Sequence, residues 1–487
     1  MITSDTKSDG ISKEEYLELE KKVQNSPWRQ SFHIQPVTGL LNDPNGLAWY
    51  NGFYHLFYQW FPLGPVHGTK YWYHLRSRDL ISWEDLGIGL APDQSFDSHG
   101  VYSGSSIKKE GLLYLFYTGN HRDEDWVRHS SQCLAVMDQE GRIVKNTSPL
   151  IPEPPDGITE HFRDPKVWEG KTGYLMITGA QKISQTGTAL IYQSSDLIQW
   201  DFRGELEVSW KTKAYMWECP DYFETEGYGI LIMCPQGMEA EESGNSNIYE
   251  AGYLIGNPMN EETLTFDGSR YERLDYGFDF YAPQTFLDPL GRRILFGWMG
   301  LPEILYPTDR YGWAHCLTIP RELTVVNGRL RQNPVKEMEQ MRNEAFCETI
   351  LMEDESYQDE RFYGRHYELL VQITDQTAGV FEISIRRNKQ EQTMIRYSRS
   401  DQMICVDRSA SGEVFAEDYG FLRKAKLESG LKEVRIFSDE SSLEIFINQG
   451  EVSFSLRIFP GKSSVETVFT AREGSVKASI QKWNLRV

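Results

Sequence analysis

From residue 32 to about 330 the chain alternates short apolar runs with Gly, Pro, Asn and Asp. Helical spacing is nearly absent there. The runs at 102–107, 112–117, 174–178, 189–193, 230–233 and 293–298 are rich in aromatic and β-branched residues, the pattern of strands. The pattern breaks at Arg331-Gln332-Asn333-Pro334, after which Val335, Met338 and Met341 fall at helical spacing. This predicts a linker helix over 335–345. Beyond it the text alternates: Val434-Arg435-Ile436-Phe437, then Leu443-Glu444-Ile445-Phe446-Ile447, a turn at Asn448-Gln449-Gly450, and Val452-Ser453-Phe454. Alternation predicts sheets with one buried face, as in a β-sandwich over 346–487. Before residue 32 lies an arm. Residues 1–11 are expected to be disordered, and Ser12-Lys13-Glu14-Glu15 fits a capping box that opens a short helix. The fold class is all-β, in two domains.

Within 32–334 the text repeats. Ser77-Arg78-Asp79-Leu80-Ile81-Ser82-Trp83 resembles Ser194-Ser195-Asp196-Leu197-Ile198-Gln199-Trp200. Asn42-Asp43-Pro44-Asn45-Gly46 forms a tight turn before two aromatic runs joined by Asn51-Gly52, a hairpin signal. Alone, Asp43 reads as a turn-maker. Two later stretches change that: Arg163-Asp164-Pro165 and Trp217-Glu218-Cys219-Pro220. Asp43, Asp164 and Glu218 each precede an aromatic residue (Phe53, Tyr174, Tyr228) by ten positions. Three carboxylates in one register of a repeated sheet unit predict a propeller whose strand starts converge on one pocket.

Composition narrows the chemistry. With 487 residues the chain exceeds one compact core. The formal net charge of −21 argues against nucleic acid or an anionic membrane as partner. The aromatic content of 13% suits sheets and sugar-stacking surfaces. None of the six cysteines has CxxC spacing, so buried reduced thiols are expected, with no disulfide or metal. No apolar run has the length of a signal peptide or membrane span, so a soluble, cytoplasmic protein is expected. No cofactor is expected, and a homo-oligomer is possible.

Taken together, the NDPNG, RDP and ECP motifs, in this order, resemble those of the β-fructosidases, the invertase family of glycoside hydrolases. Tyr102-Ser103-Gly104-Ser105, Asp279-Phe280-Tyr281-Ala282-Pro283-Gln284, Gly297-Trp298-Met299 and Leu317-Thr318-Ile319-Pro320-Arg321-Glu322-Leu323 also resemble the family. The resemblance implies a five-bladed β-propeller followed by a β-sandwich. It implies that Asp43 is the nucleophile, Glu218 the acid/base, and Asp164 the acid that holds fructose hydroxyls. It further implies that Asn42, Gln59, Ser103, Arg163, Tyr281 and Trp298 line the sugar pocket.

The stretch after Gln59 departs from the invertase pattern. His67-Gly68-Thr69-Lys70-Tyr71-Trp72 looks like the bacterial sucrose-6-phosphate hydrolases, as does Thr118-Gly119-Asn120-His121-Arg122-Asp123 with Trp126 and Arg128 behind it. The implied substrate is a sugar or sugar phosphate, with sucrose 6-phosphate as the reading and sucrose or short fructans as the alternative. A non-catalytic sugar-binding propeller and a glycosidase for arabinose or xylose polymers are the other readings. His67, Lys70 and Arg122 are the phosphate candidates, and Arg128 reads as solvated surface charge. Met216, Trp217, Cys219 and Pro220 are expected to surround Glu218 with apolar bulk, which together with the other two acids favours its protonated form. Asp221 is expected to cap a turn or pair with a base. A retaining enzyme needs its nucleophile and acid roughly 5 Å apart.

Overall fold

The computed structural model describes residues 12–212, 214–238, 249–268 and 270–486. Residues 1–11, expected to be disordered, lie outside the described residues. The capping box forms: Ser12 and Glu15 exchange side-chain and backbone hydrogen bonds at the start of helix Lys13–Gln24.

Five antiparallel sheets follow, each opening with a long strand: Gly39–Tyr50, Val101–Lys109, Ile158–Gly170, Met216–Thr225 and Tyr281–Leu287. Every run predicted as a strand lies within one. The five opening strands contact one another in chain order, and the fifth contacts the first. Trp313–Ala314 then pairs in parallel with Gly39 and Leu40, so the end of this region fastens to its beginning. The two SxDLIxW repeats are the same turn. Asp79 and Asp196 each accept backbone N–H groups two and three residues ahead, and Trp83 and Trp200 each donate to a carbonyl three residues back. Leu80 and Leu197 both take a positive φ there, at 65° and 75°.

The predicted linker helix is a shorter, tighter element. A 3₁₀ helix spans Lys336–Met341, with Met338 and Met341 buried, and strand Arg342–Glu353 begins at once. After it come two six-stranded antiparallel sheets. Their facing sides share one apolar core that includes Leu369, Ile383, Ile436, Ile445, Phe454 and Ile480.

The alternating segment corrects an expectation. Strands Ser442–Ile447 and Val452–Arg457 are buried at every position, so their polar residues do not face water. They face the first region. Glu444 accepts from Arg321, Ser455 donates to Asp275 at 2.7 Å, and Arg408 pairs with Asp279 at 2.7 Å. His33 bridges Asp439 at 2.7 Å and Glu444 at 2.9 Å. Buried charges are tolerated only when paired, and these are paired across the boundary. The thiol expectation also holds only in part: all six cysteines are free, but Cys347 is exposed and Cys405 half-buried.

Burial acts to lower the His33 pKa, but hydrogen bonds and charge from Asp439 and Glu444 raise it to about 9. A raised imidazole pKa stabilises the folded state below the ordinary value of 6.5, and that stability drains as pH rises through 9. Thermal denaturation of wild type and His33→Gln from pH 6 to 10 checks this. The wild type should lose on the order of 3 kcal/mol that the variant does not lose, with the difference confined to that window.

Candidate active site

The site is built where the five opening strands lose register. The breaks fall between Leu41 and Pro44, Tyr102 and Gly104, Arg163 and Lys166, Glu218 and Asp221, and Tyr281 and Gln284. Three of these bulges are X-Pro pairs: Asp164-Pro165, Cys219-Pro220 and Ala282-Pro283. Proline has no N–H for the ladder. The residue before each takes a left-handed φ, 64° at Asp164, 48° at Cys219 and 44° at Ala282. Such backbone is costly for a residue with a side chain, and it re-aims that side chain.

The re-aiming matters because the expected common register is only partly real. Asp43 lies seven residues before Tyr50, which pairs with Phe53, and Glu218 lies seven before Thr225, which pairs with Tyr228. Counted the same way from Gly170, which pairs with Gly173, the seventh residue is Arg163. Asp164 is one step off, and one step in a strand points to the opposite face. The left-handed bulge turns it back. The Cys219 N–H donates to Asp164 Oδ2 at 2.9 Å, and Cys219 Sγ lies 3.8 Å from Asp43 Oδ2. Arg163 Nε is 3.1 Å from Glu218 Oε1 and 4.0 Å from Asp164 Oδ2. All three acids therefore meet.

Their partners differ. Asp43 accepts from Asn42 at 3.1 Å and from the Ser103 hydroxyl. Asn42 also donates to Gln59 at 2.6 Å, and Gln59 donates to Ser103 at 2.6 Å, closing a loop of four side chains. Glu218 accepts from Arg163 Nη2 at 2.6 Å, Gln236 at 2.6 Å and Tyr281 at 2.5 Å. The expected apolar surroundings of Glu218 are thus polar at the carboxylate. Met216, Trp217 and Cys219 are buried, Trp217 and Cys219 packing in apolar cores, while the acid itself faces donors. Arg163, expected to line the sugar pocket, donates to Glu218 and also stands 4.0 Å from Asp164. Asp221 pairs with Lys166 at 3.0 Å, a structural tie between neighbouring sheets.

Trp298 is buried beside Tyr281, with the His67 ring 6.1 Å away. The indole N–H of Trp298 finds no acceptor among the described residues. Lys70 is 4% exposed, and its ammonium has no hydrogen-bond partner among the described residues. Burial lowers its pKa to about 7, and Asp43 pulls it up. Arg122 donates to the Trp126 carbonyl at 2.9 Å and lies over that ring. Gln236, His161, Thr118 and Asn45 were not foreseen. Gln236 sits opposite Met216 in the hairpin that follows the ECP motif, the one signal that pointed to it. A cleft of about 760 Å³ lies at the other ends of the opening strands, lined by Trp49, Lys166, Trp168 and Glu224, and none of the three acids lines it.

Burial lifts Asp43 and Asp164. At Asp43, Ser103, Asn42 and Lys70 oppose the rise while Glu218 adds to it. Asp164 is pushed up to about 7, with Arg163 opposing and Glu218 and Asp43 adding. A raised carboxyl pKa weakens the fold as pH climbs from the ordinary 3.8 through 7. Asp164→Asn should therefore melt a few degrees above wild type at pH 8, and the gain should vanish at pH 4. Differential scanning calorimetry at the two pH values checks it.

A family model described as Glycosyl hydrolases family 32 N-terminal domain matches residues 33–334, and one described as Glycosyl hydrolases family 32 C terminal matches 329–485. The sucrose-6-phosphate hydrolase of Staphylococcus xylosus is 43% identical over 480 residues, covering 99% of this chain and 97% of the relative. The solved sucrose-6-phosphate hydrolase from Lactobacillus gasseri superposes with a TM-score of 0.91 at 36% identity, covering 98% of this chain and 97% of that one. A Bombyx mori GH32 beta-fructofuranosidase superposes at 0.82 with 31% identity, covering 98% and 99%. With both halves matched and the acids of the NDPNG, RDP and ECP motifs gathered at one level, the chain belongs to glycoside hydrolase family 32.

Proposed function

We propose that this protein is a retaining β-fructofuranosidase that hydrolyses sucrose 6-phosphate to fructose and glucose 6-phosphate. The observation that carries it is the meeting of Asp43, Asp164 and Glu218, each held by different donors, in a chain whose similar proteins include sucrose-6-phosphate hydrolases. Asp43 attacks the anomeric carbon of the fructosyl unit. The bond to the glucosyl oxygen breaks, and that oxygen takes a proton from Glu218. Water then gives its proton to Glu218 and displaces Asp43, so configuration is retained. Asp164 binds ring hydroxyls as charge develops. The Asn42–Gln59–Ser103 loop fixes the attacking carboxylate, and Tyr281 and Trp298 wall the fructosyl site. We infer that the five sheets between residues 32 and 334 are five propeller blades, that residues 346–487 form the sandwich, and that the enzyme works in the cytoplasm. A charged sugar phosphate does not cross a bilayer unaided, which supports that location.

Asp43→Ala and Glu218→Gln should each cut kcat by about a thousandfold or more, since each removes a bond-making or proton-transfer step. Release of reducing sugar checks this. A folded Asp43→Ala variant that keeps a tenth of wild-type turnover would remove the nucleophile assignment. Lys70 was expected to meet phosphate, but its buried ammonium stands by Asp43. We infer that it supports the ionised nucleophile. Lys70→Met should lower kcat/KM for sucrose and for sucrose 6-phosphate by similar factors, roughly tenfold. Steady-state kinetics on both substrates checks it, and a loss limited to the phosphorylated sugar would return Lys70 to the phosphate.

A further inference from the structure

Strands Leu112–Arg122 and Arg128–Met137 pair without a break, with Thr118 opposite Gln132, Asn120 opposite Ser130 and Arg122 opposite Arg128. Residues paired directly, and those two and four positions along, share one face. The inner end of that face supports the site. The Asp164 N–H donates to Thr118 Oγ1 at 2.9 Å, and Thr118 donates to Gln132 at 3.1 Å. The outer end, four residues on or about 13 Å along the strands, carries the two arginines.

These arginines are not equivalent. Arg122 is committed to the turn that carries Trp126. Its guanidinium holds the Trp126 carbonyl and lies 5.4 Å from the ring centroid. The Arg128 guanidinium makes no hydrogen bond or ion pair to a described residue, and the side chain is half-buried. The acids near it are already engaged. Asp123 is held by His129 at 2.9 Å and by two turn amides, Glu160 accepts from Ser130, and Glu218 accepts from Arg163. Burial and the charges of Arg163 and Arg122 disfavour the Arg128 charge, and Glu218 favours it. His161, which accepts from Arg163, is pushed down to about 4 by burial and by Arg163 and Arg128. In a chain of net charge −21 this edge of the site gathers three arginines, Arg122, Arg128 and Arg163.

We propose that Arg128 is the specificity-determining residue that receives the phosphate monoester of the substrate, with Arg122 bracing the Trp126 turn beside it. The proposal rests on the sucrose 6-phosphate reading above. A guanidinium without a partner among the described residues, repelled by two others, is poorly satisfied until a dianion arrives, and its planar fork fits phosphate oxygens two at a time. In the substrate, one hexose ring and an ester linkage separate the fructosyl unit from the phosphate. The exposed Trp126 ring, 66% accessible and fixed at a φ of 64°, offers a face for the intervening sugar.

The test is the ratio of kcat/KM for sucrose 6-phosphate to that for sucrose. It is measured for wild type, Arg128→Gln, Arg128→Lys and Arg122→Gln, with circular dichroism to confirm folding. Wild type should prefer the phosphorylated sugar, and the preference should weaken as salt rises. Arg128→Gln should cut the ratio by about tenfold or more, Arg128→Lys by less, because a point charge keeps attraction without the fork. Inorganic phosphate should inhibit wild type more strongly than Arg128→Gln if the site reads the phosphate group itself. A wild type that prefers the phosphorylated sugar and a ratio unchanged in Arg128→Gln would overturn the arginine assignment alone. A larger fall in Arg122→Gln than in Arg128→Gln would do the same. A wild type without preference would overturn the substrate reading, and this proposal with it.

Discussion

The whole site depends on one constraint: five strands that run side by side without pairing must still satisfy their backbone at the level where each ladder breaks. Buried peptide groups left unpaired are expensive. Here the neighbours supply the missing bonds. Asn45 accepts the Gly104 N–H at 2.9 Å, Gln284 donates to the Gly104 carbonyl at 2.8 Å, and Ser105 donates to the Pro165 carbonyl at 2.7 Å. Thr118 and Asp164 serve the Asp164 and Cys219 amides in the same way. Asp221 joins Lys166 to the Thr285 amide. One of these stitches, from the Cys219 amide to Asp164, uses an acid of the candidate site, so that carboxylate is part of how the ring holds itself closed.

The second region is bound to the first by charge rather than by a greasy seam alone. Arg321 and Glu444 are fully buried, with Asp275 and Ser455 completing their hydrogen bonds. Apolar contact continues alongside, since Phe437, Phe446, Phe459 and Leu485 join the core of the first region. Buried ion pairs add little net stability over apolar groups of the same shape, but losing one partner is severe. The arrangement therefore favours one docking pose over others more than it deepens the energy well.

Much of this was legible in the sequence, and the failures have physical reasons. Asp43 and Glu218 share a hairpin register, so spacing found them. Asp164 was found by the same spacing for a partly wrong reason, because a left-handed residue before proline converts an out-of-phase position into an in-phase one. The alternation at 442–457 was read correctly as strand, but alternation cannot tell water from a charged neighbour. Val335, Met338 and Met341 fit a three-residue repeat as well as a helical one, and the 3₁₀ helix uses the tighter turn. Arg122 and Arg128 look alike in text. Only the carbonyl of Trp126, which composition does not reveal, distinguishes the engaged guanidinium from the free one.

The parallel pairing of Trp313–Ala314 with Gly39 and Leu40 has a consequence for how the molecule comes into being. A ribosome must deliver more than 300 residues before the first strand meets its last partner. Until then the opening strand lacks a neighbour on one side. Contacts this distant in the chain slow folding and prolong the exposure of unpaired edges. Chaperone dependence should therefore concentrate in the interval before that clasp forms.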